Sequence, residues 1–249
     1  TDGGIHPGLA AVVIRAVASL FAPLERADVA GLLRVDWTSY DFSQSTIPEF
    51  ARELADYRVE ALVDGSWSTL EWKDAMKSFN FGPPFGRERC SRRYMEELRR
   101  LPEQIPSLRT CGFYISGFNA FTNAVMMPLG LVVMKLSPNL LGKPFAKALT
   151  WSLRTFGRPP YGTVWQVEAE GLPAGSAAAA GPAAALSSGS ADRAGVSGRR
   201  LRAGLRIVHP DGYWLTAASA AACLLQYADG SLRTLGGASA GALHRPVAP

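Results

Sequence analysis

The residues with the clearest chemical potential open the chain: Gly4-Ile5-His6-Pro7-Gly8, running straight into the apolar segment Leu9 to Phe21. The first turn of a helix leaves backbone N–H groups without intrahelical partners, and these groups attract anions. His6 adds a titratable ring there, and the helix dipole disfavours its protonated form. Two readings of the ring stand side by side. It is a proton donor or polar contact to a substrate, or a surface residue in a turn shaped by Pro7 and Gly8.

Arg87 and Arg89 follow a stiff loop, Gly82-Pro83-Pro84-Phe85-Gly86. Guanidinium forks hold carboxylates through two parallel hydrogen bonds, so this pair is a candidate substrate grip. The competing reading is a solvated basic run continued by Arg92 and Arg93. Tyr161 sits in a second stiff loop, Arg158-Pro159-Pro160-Tyr161-Gly162, as a site residue or a core aromatic. His209, Asp211 and Tyr213 mark a strand-to-helix junction, where Asp211 is placed to cap the helix. Met126, Met127 and Met134 read as core packing or an adaptable apolar surface. Cys90, Cys111 and Cys223 are far apart, with no C-x-x-C pair, so neither a zinc site nor a disulfide framework is expected. No G-x-G-x-x-G, P-loop, H-E-x-x-H or G-x-S-x-G occurs, and Gly236 to Gly241 lacks the dinucleotide spacing.

The elements that must position these residues follow from periodicity. Leu9 to Phe21 is apolar almost all round and reads as a buried helix. Val29 to Trp37 reads as a strand, Thr46-Ile47-Pro48-Glu49 as a helix start, and Asp64-Gly65 as the turn of a hairpin between Val59–Val63 and Trp67–Trp72. Met95 to Leu101 reads as a short helix, Arg109 to Ile115 as a strand, and helices are expected from Phe118 and from Lys143 to Phe156. In Thr163 to Glu170 and Leu201 to Val208, apolar and polar residues alternate, which predicts paired strands with acids and arginines facing each other. Between them, Gly171 to Arg200 is Ala/Gly/Ser-rich and is expected to be a disordered insert at the hairpin tip. Tyr213 to Tyr227 reads as a helix whose small residues permit close packing on the sheet. The tail from Leu235 is expected to be weakly structured. The fold class is α+β: a mixed, largely antiparallel sheet with helices mainly on one face, forming a single domain over 1–249 with no Rossmann domain.

Composition bounds the partners. The chain has 249 residues, 47% hydrophobic and 19% charged, enough to bury a sizeable core. A net charge of +5 without single-face clustering argues against a nucleic-acid domain. The apolar run Phe118 to Leu136 is interrupted by polar residues, Pro128 and Gly130, which disfavours a membrane span and leaves peripheral membrane contact open. No signal-peptide pattern is seen, so an intracellular, reducing setting is expected.

Four segments, taken together, carry a resemblance. They are Gly4 to Gly8, Lys77 to Gly86, Arg158 to Val164, and His209 to Tyr213 followed by Thr216-Ala217. In this order they resemble the C-terminal part of saccharopine dehydrogenase-like oxidoreductases. That resemblance implies an NAD(P)-dependent enzyme with an N-terminal Rossmann domain ahead of Thr1, and a role for this chain as the substrate wall and homodimer surface. It implies that His6, Pro7 and Gly8 lie near the nicotinamide and that the chain alone does not bind NAD(P) tightly; Arg87, Arg89, Tyr161, Asp211 and Tyr213, read from the residues themselves, are the candidates for substrate contact. The alternative is a non-catalytic interaction or membrane-peripheral module using the 118–136 segment.

Overall fold

The alternation of Trp165, Val167 and Ala169 with polar neighbours builds one strand of a large sheet, on which α1 packs, while α2, α4 and α5 pack on one another. The computed structural model describes residues 8–39, 46–54, 57–174 and 200–230. In chain order the elements are α1 (Leu9–Ala18), β1 (Phe21–Arg34), α2 (Thr46–Glu53), β2 (Glu60–Val63), β3 (Ser66–Thr69), β4 (Met76–Asn80), β5 (Arg87–Arg93), α3 (Leu101–Gln104), β6 (Thr110–Ser116), α4 (Met127–Leu136), α5 (Pro138–Phe156), β7 (Gly162–Pro173), β8 (Leu201–His209) and α6 (Gly212–Ala228). Six strands run in the order β3-β2-β6-β1-β7-β8, and the β4–β5 hairpin attaches through β5 to β6. The pairing of β1 with β6 is parallel, and the other pairings among the described strands are antiparallel. The fold is therefore α+β with a mixed, largely antiparallel sheet, as the sequence patterning anticipates.

The two sheet faces are closed differently. α1 buries Ala10, Val13, Ile14 and Val17 against Val29, Phe113, Trp165 and Val167. Residues one position along those strands point the other way. There Phe79, Phe81, Phe85 and Cys90 of the β4–β5 hairpin form an apolar cluster with Ala30, Leu32, Tyr114 and Val164. This second face also carries charge. Asp28, in the middle of β1 and 1% exposed, accepts hydrogen bonds from Arg26 at 2.7 Å and Lys77 at 2.8 Å. Arg92 lies buried beside Gly112, the register partner of Asp28, and donates to the Tyr114 hydroxyl. Burial, and next the Asp28 charge, push the Tyr114 phenol up to about 12.

Several boundaries differ from the sequence reading for identifiable reasons. β1 begins at Phe21, not Val29, so the preceding helix stops at Ala18. Pro23 hides the strand start, and the pairing with β7 shifts register on both sides of Leu24, which is how a strand accommodates proline. The helix from Phe118 enters through a π-type turn, Thr122–Met126, before α4. α5 starts five residues before Lys143. Its internal Pro144 is exposed, so the carbonyl it orphans faces water. The Met95–Leu101 region is a 3-10 turn, Glu96–Leu98, followed by α3.

β7 continues to Pro173, so Gly171 belongs to the sheet and pairs with Leu24 and Leu201. Glu170 lies opposite Arg202, and their side chains approach to 3.6 Å, the facing charge pair that the alternation predicts. Residues 175–199 of the proposed insert and the tail from Leu235 lie outside the described residues. α6 does not pack closely on the sheet: Leu215 is its buried residue, joined to the α1 cluster, because α1 already occupies that face.

Cys90 and Cys111 are buried in the two sheet faces, and Cys223 on α6 is partly exposed. Burial raises all three thiols, Cys90 to about 12 and Cys111 further. Ellman's reagent at mildly alkaline pH should therefore label Cys223 first, with Cys90 and Cys111 reacting only on unfolding. Fast native labelling of Cys223→Ser protein would contradict this packing.

Candidate cleft between the sheet and the helical lobe

β1 and β6 are parallel, so their C-terminal ends lie side by side, and the chain leaves both in the same direction. Beyond them α2, α4 and α5 pack on one another around Ile47, Leu54, Met134, Phe145 and Leu149. A cleft of about 490 Å³ opens where this lobe meets the strand ends. Arg34, Val35 and Trp37 come from the end of β1, Glu88 and Arg89 from β5, and Gly117 to Ala120 from the end of β6. Phe156, Arg158 and Tyr161 come from the α5–β7 connection.

The cleft is cationic at one wall and aromatic at another. Arg34 pairs with Glu88 and lies over the Phe85 ring at 5.9 Å, so its charge is oriented and partly neutralised. Arg158 spends Nη1 on the carbonyls of Thr155 and Gly157, at 2.9 and 2.7 Å, which fixes its stem and leaves the rest of the fork available. The amides of Asn119 and Asn123 are committed to backbone: Asn119 Nδ2 donates to the Ser152 carbonyl and its Oδ1 accepts from Thr122 N–H, while Asn123 Nδ2 donates to the Phe118 carbonyl. Among the described residues, Arg89 and Tyr161 line the cleft with side-chain hydrogen-bonding capacity unspent. Three guanidinium groups against one carboxylate make the cleft a trap for an anion with an apolar body.

The sequence-predicted site residues divide. Arg89 and Tyr161 meet in the cleft; Tyr161 is 37% exposed there instead of packed in the core. Arg87, two positions away on the same strand, is exposed outside the cleft. Asp211 acts as the helix cap, its Oδ1 accepting from Tyr213 N–H at 2.8 Å, and neither residue lines the cleft. His209 accepts from Asp211 N–H through Nδ1 and stacks on Trp214 at 4.6 Å. His6 and Pro7 lie outside the described residues. Gly8 precedes α1, whose N-terminus is already filled from within: Ala10 N–H donates to the buried Glu97 carboxylate at 3.1 Å. The anion that the first turn attracts is the protein's own side chain.

Arg34, Glu88, Trp37, Phe118 and Arg158 went unassigned in the sequence because no motif joins them; they are neighbours only through strand order. One local signal did exist. Gly162 has φ +148, and a Cβ there would meet Phe85 at 3.0 Å and the His209 carbonyl at 3.6 Å. The loops around Phe85, Tyr161 and His209, three of the four resemblance segments, therefore converge at one point beside the cleft.

The fold and cleft define an α+β domain with a cationic, aromatic-walled pocket at the ends of two parallel strands. No protein-family model matches the sequence, and no curated protein matches it. Among solved structures, apo histidine-tagged saccharopine dehydrogenase (L-Glu forming) from Saccharomyces cerevisiae aligns with a TM-score of 0.46 at 11% identity, over 93% of this chain and 65% of that one. The chain thus spans less than two thirds of that structure's length.

Proposed function

We propose that this chain is the substrate-side domain of a nicotinamide-dependent oxidoreductase of the saccharopine dehydrogenase-like kind, and that the cleft grips the carboxylate of its substrate. The observation that carries the reading is the convergence of Arg89, Tyr161 and Arg158 on one cleft walled by Trp37, Phe118 and Phe156. The resemblance of the four sequence segments supports the same class.

In this reading the dinucleotide is held by the nicotinamide domain. Glu97 fills the α1 N-terminus singled out for an anion, and a phosphate there would meet a carboxylate. No hydride-transfer step is assigned to this chain. Its own contribution is to hold the substrate: Arg89 and Arg158 fix the carboxylate, Tyr161 donates or accepts at its flank, and the aromatic wall covers the apolar body. The nicotinamide domain and the dimer contact belong to this proposal through the resemblance.

The test uses 4-phenylbutyrate and its amide as probes in calorimetric titrations. The acid should bind in preference to the amide, and Arg89→Ala and Arg158→Ala should each weaken it by about tenfold, the worth of one charge-assisted hydrogen bond. Equal binding of acid and amide, or no effect of either substitution, would overturn the carboxylate assignment. NADPH should give no saturable binding to this chain; tight binding would overturn the division of labour.

A further inference from the structure

Between Glu103 and Glu168 the sequence contains no aspartate or glutamate, while Arg109, Lys135, Lys143, Lys147, Arg154 and Arg158 lie in that stretch. α4 and α5 fall wholly inside it. α4 turns Gly130 and Met134 inward. On its opposite side, Leu129, Val132 and Leu136, with Val125 one turn earlier, are exposed to solvent. Their spacing of four, three and four residues makes one continuous helical stripe. α5 buries Phe145, Leu149 and Leu153 and presents Leu140, Lys147 and Trp151 outward. The elbow between the helices is the most exposed apolar point of the described chain: Leu136 is 78% and Leu140 74% exposed. Lys135 and Lys143 flank it.

A surface helix ordinarily turns its apolar stripe to the core. Here a second stripe faces water, tipped with leucine and edged only by cations. This is the chemistry of a helix pair that rests in the interface of an anionic bilayer, with leucines at the acyl boundary and lysine stems reaching back to phosphate. No helix among the described residues is long and apolar enough to cross a membrane, so the geometry is that of lying on the surface. A second copy of the chain is a poorer occupant, because two acid-free basic faces repel.

We propose that the α4–α5 elbow docks this protein on anionic phospholipid surfaces. The proposal is independent of the cleft's substrate. Its test is flotation with phosphatidylcholine vesicles, with and without phosphatidylserine. The protein should float with the anionic vesicles, far less with phosphatidylcholine alone, and less as salt rises. Leu136→Asp combined with Leu140→Asp should lower partitioning by about tenfold or more with an unchanged circular dichroism spectrum, since both positions are exposed. Lys135→Glu with Lys143→Glu should abolish the preference for anionic vesicles. In the unaltered protein, brominated lipid should quench tryptophan fluorescence, and Trp151→Phe should remove part of that quenching. Absence of flotation with anionic vesicles, or flotation indifferent to both double substitutions, would overturn the proposal. So would a concentration-dependent dimer that Leu136→Asp dissolves without altering flotation.

Discussion

Gly117→Ala should be among the most destabilising single substitutions in this protein, lowering the melting temperature by roughly 8–16 °C, the equivalent of about 4 kcal/mol in a chain of this size. Gly117 leads out of β6 with φ +144, where side chains are strained. A Cβ there would sit 1.9 Å from the Leu33 carbonyl oxygen and 2.4 Å from its carbon. That neighbour is backbone of the central strand, held on its other side by the pairing of Leu33 with Thr163. It cannot swing away as a flexible side chain does. Gly86→Ala supplies the control: φ is +70, but nothing lies within 4 Å of its Cβ position, so about 1 kcal/mol is expected. Thermal unfolding of both variants decides the matter. A Gly117→Ala melting point no lower than that of Gly86→Ala would refute the close packing at the cleft floor. Because Gly117 also lines the cleft, any folded remainder should lose 4-phenylbutyrate binding.

Asp28→Ala should cost about 3–5 kcal/mol in denaturant unfolding. Asp28 is a fully buried carboxylate in the sheet's central strand, accepting from the forked Arg26 and from Lys77. Arg92 lies buried close by, and Lys77 also rests 4.6 Å from the centre of the Phe79 ring. Removing this buried carboxylate takes from Lys77 its 2.8 Å partner, leaving it Glu168 at 3.6 Å, and takes the negative charge from a weakly solvated layer that also holds the buried Arg92. Arg26→Ala should cost far less, below about 1 kcal/mol, because that side chain is nearly half exposed and water replaces it. A double-mutant cycle between Asp28→Ala and Lys77→Met should show strong coupling. A loss under about 1 kcal/mol for Asp28→Ala would refute the counter-charge role.

The legible parts of this fold are those that one segment specifies by itself. The alternation at Trp165, Val167 and Ala169 and the turn at Asp64-Gly65 depend on near neighbours, and the strands they predict are present. The start of β1 was hidden because Pro23, Glu25 and Arg26 carry the local signature of a turn, and only pairing with β7 makes that segment a strand. Asp28 has no periodic signature of burial; of its two ion-pair partners, Arg26 is local and Lys77 comes from β4. In the cleft, Arg89 and Tyr161 were legible through the stiff glycine–proline loops next to them. Arg34 and Phe118 were not, since each only ends its strand, and their meeting depends on β1 and β6 running parallel. α6 misled because its small residues fit a sheet face that α1 already covers.

The central strand has a kinetic consequence. β1 is made before the other strands described here, yet Val29 takes Phe113 on one side and Val167 on the other. Neither partner is local, and the hydrophobic face of β1 stays unpaired until most of the domain has been synthesised. Such high contact order slows folding and lengthens the interval in which nascent apolar segments are open to aggregation. Truncation before β7 should therefore yield a chaperone-bound or insoluble product, not a smaller folded unit, and recombinant yield should respond more to chaperone supply than to substitutions on the surface.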